Sequence, residues 1–204
     1  MVKKTKQIKK CLYVDLSNLY GGLCEVLKPG EYIDFASMLP LLDKAFEGID
    51  EIKVYGAYMG YEESSSKKHK LFVKSQNEFF NSAKLVANYF GEGRISRNKQ
   101  EKGVDMKLGV DIVNDAHLGR FDDYILFSED ADFDYPIKVI KEMGKNFHYC
   151  SFATRYSNAL AFQSWRKVLF DYDGHYLSNK TEARVPKKLV IKEIYNLVKI
   201  VKVS

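Results

Sequence analysis

The 204-residue sequence predicts an α/β fold, a three-layer α/β/α arrangement with a central, mostly parallel sheet and a C-terminal helical extension. Three observations predict it. Short apolar runs rich in β-formers alternate with stretches of helical periodicity ~10–15 residues long, the pattern of strand–crossover–strand units. Two of the runs, Cys11–Val14 and Tyr124–Phe127, are followed by acids, and the carboxyl ends of parallel strands are where such sheets bind ligands. The composition, 46% hydrophobic and 14% aromatic, is that of a chain with a packed core.

Taken in order, Leu12–Val14 reads as a short buried strand ending at Asp15. From Ile33 to Phe46, apolar residues at 35, 38, 39, 42 and 46 follow helical spacing, with Asp34 as N-cap. Ile52–Met59 reads as a strand with Gly56 inside it, and Ser64–Ser66 opens a helix from about Lys67 to Asn81. Lys84–Tyr89 reads as a strand and Gly91–Gly103 as a polar loop. Val104–Ala116 reads as a helix ended by Gly119, Tyr124–Phe127 as a strand, and Tyr135–Met143 as a helix closed by Gly144. Phe147–Phe152 completes the strands, followed by a helix over Asn158–Lys167. Beyond Gly174, Ser178–Pro186 reads as a linker, and Leu189–Val201 has the apolar spacing of an amphipathic helix, expected to pack on its own domain, with pairing to a second copy as the alternative. The organisation expected is a basic tail over 1–10, a domain over 11–174, and a linker with an amphipathic segment over 175–204.

The net charge is +5, with lysines crowding both ends: Lys3, Lys4, Lys6, Lys9 and Lys10, then Lys187, Lys188, Lys192, Lys199 and Lys202. A basic shell around an acidic pocket suits a polyanion such as nucleic acid; either tail alone is equally a solvated end. No apolar stretch approaches the ~20 residues of a membrane span, so no membrane partner is expected. Three cysteines without a C-x-x-C pair argue against a disulfide framework and a thiolate zinc site, and the four histidines show no ligand spacing. A reducing, cytoplasmic setting is expected.

The chemistry concentrates in acids. Ser128-Glu129-Asp130-Ala131-Asp132-Phe133-Asp134 follows the apolar run Tyr124–Phe127, which reads as a buried strand, and like charges packed so closely call for a positive partner, most simply a divalent cation. Asp15 and Asn18 form a D-x-x-N turn after the first strand, although both residues are also ordinary turn formers. Asp105 lies in the first turn of its helix, where the dipole alone favours an acid. Asp111 shares the stripe of Val104 and Leu108, ~9 Å of rise and ~120° of rotation from Asp105, too far to bind the same ion. Asp105 is therefore the candidate ligand and Asp111 a supporting or structural acid. Phe133 reads as a core plug, Ser128 as a cap or phosphate contact, and Asp134 as a solvated helix start. An EF-hand fails, because Tyr135 and Lys141 stand where it needs Gly and Glu. An aspartyl-phosphate enzyme fits poorly with D-x-x-N, and a D-x-D nucleotide-sugar transferase leaves Asp15, Asn18 and Asp105 unexplained.

Asp15-Leu-Ser-Asn18, Lys102-Gly-Val-Asp105 and Ser128-Glu-Asp-Ala-Asp-Phe133, in this order over residues 10 to 170, resemble the NYN domain of the PIN-like nuclease superfamily. The resemblance implies a PIN-like sheet, an acid cluster binding Mg2+ or Mn2+, and hydrolysis of RNA. It implies Asp15, Asp105 and Asp130 as metal-binding acids, with Asp132 acting beside them and Asn18 and Ser128 in support. The chain departs from the family twice: Glu129 replaces the usual glycine, and Ser157–Trp165 lacks the usual late acid.

With no histidine base, phosphodiester hydrolysis here would rest on carboxylate-held cations. Arg94, Arg97, Lys99 and Lys102 would follow the backbone of single-stranded or structured RNA, and Tyr20, Tyr58, Tyr61 and Tyr156 are candidates to stack on bases. The expectation is a metal-dependent ribonuclease, monomer or homodimer. The alternatives are an RNA-binding or regulatory module with a degenerate site and another metal-dependent phosphotransfer or nucleotide-sugar enzyme.

Overall fold

The computed structural model describes residues 8–171, 188–191 and 197–203. Among these described residues, seven strands form one sheet in the order β10-β9-β8-β7-β1-β3-β4, and every pairing in it is parallel. They are β1 (Lys10–Asp15), β3 (Glu51–Gly56), β4 (Tyr89–Glu92), β7 (Asp123–Phe127), β8 (Asn146–Phe152), β9 (Arg166–Phe170) and β10 (Lys188–Ile191). Helices α1 (Leu16–Leu23), α2 (Leu39–Phe46) and α3 (Lys67–Val86) cover one face; α4 (Val104–His117), α5 (Asp134–Glu142) and α6 (Asn158–Gln163) cover the other.

Alternation along each strand builds the two cores. In β1, Leu12 and Val14 enter the core with Phe79, Phe80, Phe127 and Phe152, while Cys11 and Tyr13 enter the other with Leu108, Ile112, Leu126 and Tyr149. Both faces are buried, so central strands read as unbroken apolar runs. Asp115, one turn beyond Asp111 on α4, is also buried, and it accepts bonds from Tyr13 and Lys53 at 2.5 Å and from Arg120 at 2.9 Å.

The three-layer α/β/α expectation holds, with local corrections. Asp34 does cap, accepting the Ala36 N–H, but the first turn after it is 3-10 (Phe35–Met38). Pro40 has no N–H for the fourth-preceding carbonyl, so an α-turn cannot close there. The strand expected over Lys84–Tyr89 begins only at Tyr89. Phe79, Phe80 and Ala83 continue the buried face of α3, whereas Leu85, in the last turn, is 86% exposed. The helix expected to reach Lys167 ends at Gln163, because Val168, Leu169 and Phe170 form a fully buried strand run. The polar loop over Gly91–Gly103 contains the end of β4 and a small antiparallel hairpin, β5 (Arg94–Ile95) with β6 (Glu101–Lys102).

The amphipathic helix expected over Leu189–Val201 is corrected at both ends. Lys188–Ile191 is the edge strand β10, and β11 (Ile200–Lys202) pairs antiparallel with β2 (Glu31–Ile33). Contiguous β-branched residues serve a strand better than a helix. The C-terminal segment does pack on its own domain, with the Val203 N–H on the Gly30 carbonyl and the Lys199 N–H on Ser37. Lys3, Lys4, Lys6, Lys187, Lys192 and the linker over 178–186 lie outside the described residues. Among those described, no helix is long and apolar enough to cross a membrane.

Candidate functional site

The parallel sheet brings the acid-bearing segments to one edge. β1 lies between β3 and β7, with Val14 level with Phe127, so Asp15 and Ser128 leave adjacent strands side by side. Asp15 is 3% exposed and caps α1, accepting the Asn18 N–H at 3.0 Å. The Ser128 hydroxyl donates to its other oxygen at 3.3 Å. That same hydroxyl accepts the Asp130 N–H at 3.1 Å, and the Asn18 side-chain oxygen accepts the Glu129 N–H at 3.0 Å. Asp130 in turn caps the 3-10 turn Ala131–Phe133, accepting the Asp132 N–H at 2.9 Å. Asn18 and Ser128 therefore hold the turn that carries Asp130 and Asp132.

Asp105 comes to this edge from the start of α4. The preceding Gly103 has φ +80°, a conformation a side chain would strain, and it turns the chain from β6 into the helix. Glu101, on β6, accepts the Ser17 hydroxyl at 2.6 Å and the Ala57 N–H at 2.9 Å. Nothing in the sequence alone marks this residue. A glutamate in a cationic stretch looks like surface until the hairpin pairing carries it onto the ends of β1 and β3.

The acids repel one another. Burial pushes the Asp15 carboxyl up to about 7, with Asp105 and Glu101 adding to the rise and the Asn18 N–H and Ser128 hydroxyl opposing it. Asp105 reaches solvent but is crowded on its inner side; that desolvation and the charges of Asp130 and Asp132 raise its pKa. Glu101 is raised by burial and by Asp105, against its two donors.

Other candidates fall elsewhere. Asp111 accepts the Tyr55 hydroxyl at 2.9 Å, tying α4 to β3. Phe133 is buried in the core as expected, and Asp134 begins α5 with Lys138 and Gln163 as partners. Arg94, Arg97, Lys99 and Lys102 are exposed on the hairpin, with Lys99 bonded to Glu62 at 2.7 Å. Tyr20 is a core residue bonded to Ser75, Tyr58 packs on Phe80 and Phe90, and Tyr156 lies partly buried under Lys167; Tyr61 is 44% exposed. A bulky tyrosine in an alternating run is drawn into the core, which residue type alone does not reveal.

Glu129 packs against Gly22 of α1 and pairs with Arg155. Its side chain is 6% exposed and meets the Arg155 guanidinium at 2.7 Å. Burial lifts its carboxyl to about 7, with Arg155 lowering it and Glu25 and Asp15 raising it. Gly22 leaves the space: a Cβ there would lie 2.5 Å from the Phe152 ring and 3.1 Å from Glu129.

Oxygen donors that repel one another suit a hard divalent cation in chemistry. Among the described residues no three acidic, histidine or cysteine side chains converge closely enough to hold one. Asp105 and Asp132 are exposed, so their side chains can turn inward without disturbing the core.

The family model described as the NYN domain matches residues 9–168. No curated protein matches the chain. Among solved structures, a protein of unknown function from Vibrio parahaemolyticus is similar over 96% of this chain and 99% of its own, at 14% identity and TM-score 0.57. A bacteriophage T5 5'-exonuclease with bound zinc is similar over 72% of this chain and 56% of its own, at 17% identity and TM-score 0.49. The T5 flap endonuclease in a complex with DNA and metal ions has 18% identity and TM-score 0.46, with the same coverage.

Proposed function

The chain belongs to the NYN domain family, and from that premise we propose that it is a metal-dependent ribonuclease. The observation that carries the reading is the electrostatic coupling of Asp15, Asp105, Asp130 and Asp132, which leave three separate segments at the carboxyl edge of one parallel sheet. Uncompensated, that arrangement only costs stability; a bound cation gives it a use.

Asp15, Asp105 and Asp130 would hold Mg2+ or Mn2+, with Asp132 beside them. When bound, such an ion activates water and offsets charge at the phosphate. Asn18 and Ser128 hold the Asp130 turn at a fixed distance from Asp15, so that the acids form one wall. Exposed Arg94, Arg97 and Lys102 on the hairpin before Asp105 bind the phosphate backbone and direct it towards the acids. The resemblance of Asp15–Asn18, Lys102–Asp105 and Ser128–Phe133 to the family's motifs supports RNA as the substrate.

The test is cleavage of end-labelled single-stranded and hairpin RNA, and of matching DNA, with Mg2+, Mn2+ or a chelator. The reading expects metal-dependent cutting of RNA that Asp130→Asn removes. RNA bound but left intact with either metal, and bound equally by Asp130→Asn, would overturn it. The alternative is an RNA-binding module, favoured by α6, which has no acid in Asn158–Gln163, and by Glu129, which is committed to Arg155.

A further inference from the structure

We propose that Glu101 is a positioning residue: its carboxylate clamps the cationic hairpin to the edge of the sheet and is not among the acids offered to metal or substrate. The inference rests on the ribonuclease reading and specifies how the nucleic-acid strip is placed in that same site.

β5 and β6 have two residues each, too little ladder to hold a position. Their other ties are uneven. The Gly93 N–H bonds the Gly56 carbonyl at 3.0 Å just before β5, and Ile95 packs against the core. The Lys99–Glu62 pair, with both side chains 65% exposed, contributes little. The bonds of Ser96 to Gln100 and of Lys99 to Ser96 stay within the hairpin. For β6, the strand that leads into Asp105, Glu101 supplies the tie to the sheet. One oxygen, Oε2, receives both the Ser17 hydroxyl and the Ala57 N–H. Ser17 follows β1 and Ala57 follows β3, neighbouring strands, so one carboxylate oxygen joins hairpin, helix α1 and sheet. Arg94 pairs with Lys102 and Ile95 with Glu101, so the clamp lies one residue from the cationic pair. It also sits two residues before Gly103, whose turn delivers Asp105.

Both donors need only an oxygen acceptor, which glutamine supplies without charge. A metal-binding acid would not tolerate that exchange, whereas a clamp does. The experiment compares wild type, Glu101→Ala and Glu101→Gln in the full chain. Amide exchange is followed over residues 94–102, and affinity for a single-stranded RNA 12-mer is measured in Ca2+, with KM and kcat in Mn2+. Glu101→Ala is expected to speed exchange across the hairpin and to weaken RNA binding and raise KM about tenfold, with kcat changed much less. Glu101→Gln is expected to restore both exchange and affinity. Exchange unaltered by Glu101→Ala overturns the proposal. So does loss of kcat without loss of affinity, or failure of Glu101→Gln to restore. If wild type binds no RNA, the ribonuclease reading fails, and the exchange data still judge the clamp.

Discussion

The side-chain oxygen of Asn18 accepts the backbone N–H of Glu129 at 3.0 Å, joining the helix after β1 to the turn after β7 across 111 residues. The bond sets the distance between Asp15, which caps the same helix, and Asp130, which follows the bonded amide. Asn18→Ala leaves that N–H part-buried without its acceptor, at a cost of about 1–2 kcal/mol. The melting temperature is expected to fall by roughly 2–8 °C, and RNA cleavage to fall with it. A melting curve and a cleavage assay check this; unchanged values in both would show that the turn holds itself.

Asp15 yields a prediction of opposite sign for stability and activity. Its folded pKa of about 7 lies above the unfolded value, so between about pH 4 and 7 the folded state binds more protons. Metal-free protein is therefore expected to lose stability as pH rises through that window, at up to about 1.4 kcal/mol per pH unit. Asp15→Asn removes the buried charge. In chelator at pH 8 it should melt higher than wild type, while its metal-dependent cleavage falls by at least about a hundredfold. Denaturant titrations from pH 4 to 8 with and without Mn2+ test it. Stability that rises with pH without metal would count against it.

Arg155 compensates Glu129, the buried acid that follows Ser128. Arg155→Ala leaves a carboxylate at 6% exposure without its cation and should destabilise the fold by about 1–3 kcal/mol at pH 8. The loss should shrink as pH falls below about 7, where Glu129 takes up a proton. The double variant with Glu129→Gln should recover most of it. Equal losses at pH 6 and pH 8 would contradict this.

The hairpin cations predict a salt signature. If Arg94, Arg97 and Lys102 each contact a phosphate of single-stranded RNA, replacing any one with Gln lowers the slope of log affinity against log salt by about 0.7. Fluorescence anisotropy in Ca2+ between about 50 and 200 mM salt reads it. A slope equal to that of wild type would remove that residue from the backbone path.

Much of the fold was legible because burial repeats along the chain. Leu12–Val14, Tyr124–Phe127 and Phe147–Phe152 are buried on both faces of a parallel sheet, so their runs are apolar whichever strand lies beside them. Positive-φ glycines at 119 and 144 mark where α4 and α5 stop. Legibility failed where neighbours decide. Val168–Phe170 continues a helix or makes a strand depending on whether β8 is there to pair with, and Leu189–Ile191 depends on β9 in turn. Tyr20 was a base-stacking candidate by residue type, and the packing of Phe72 and Phe79 placed it in the core.

By itself the sequence determined which segments end in acids and that those ends belong to a parallel sheet, because periodicity and turn residues are local properties. That brought Asp15, Asp105 and Asp130 into one hypothesis. Only the tertiary structure decided what the acids do to one another. It turned Glu129 inward onto Arg155, bound Asp111 to Tyr55, and brought Glu101 onto Ser17 and Ala57. Desolvation, ion pairing and hydrogen bonding act through distances of a few ångströms, and strand order sets those distances between residues far apart in the chain.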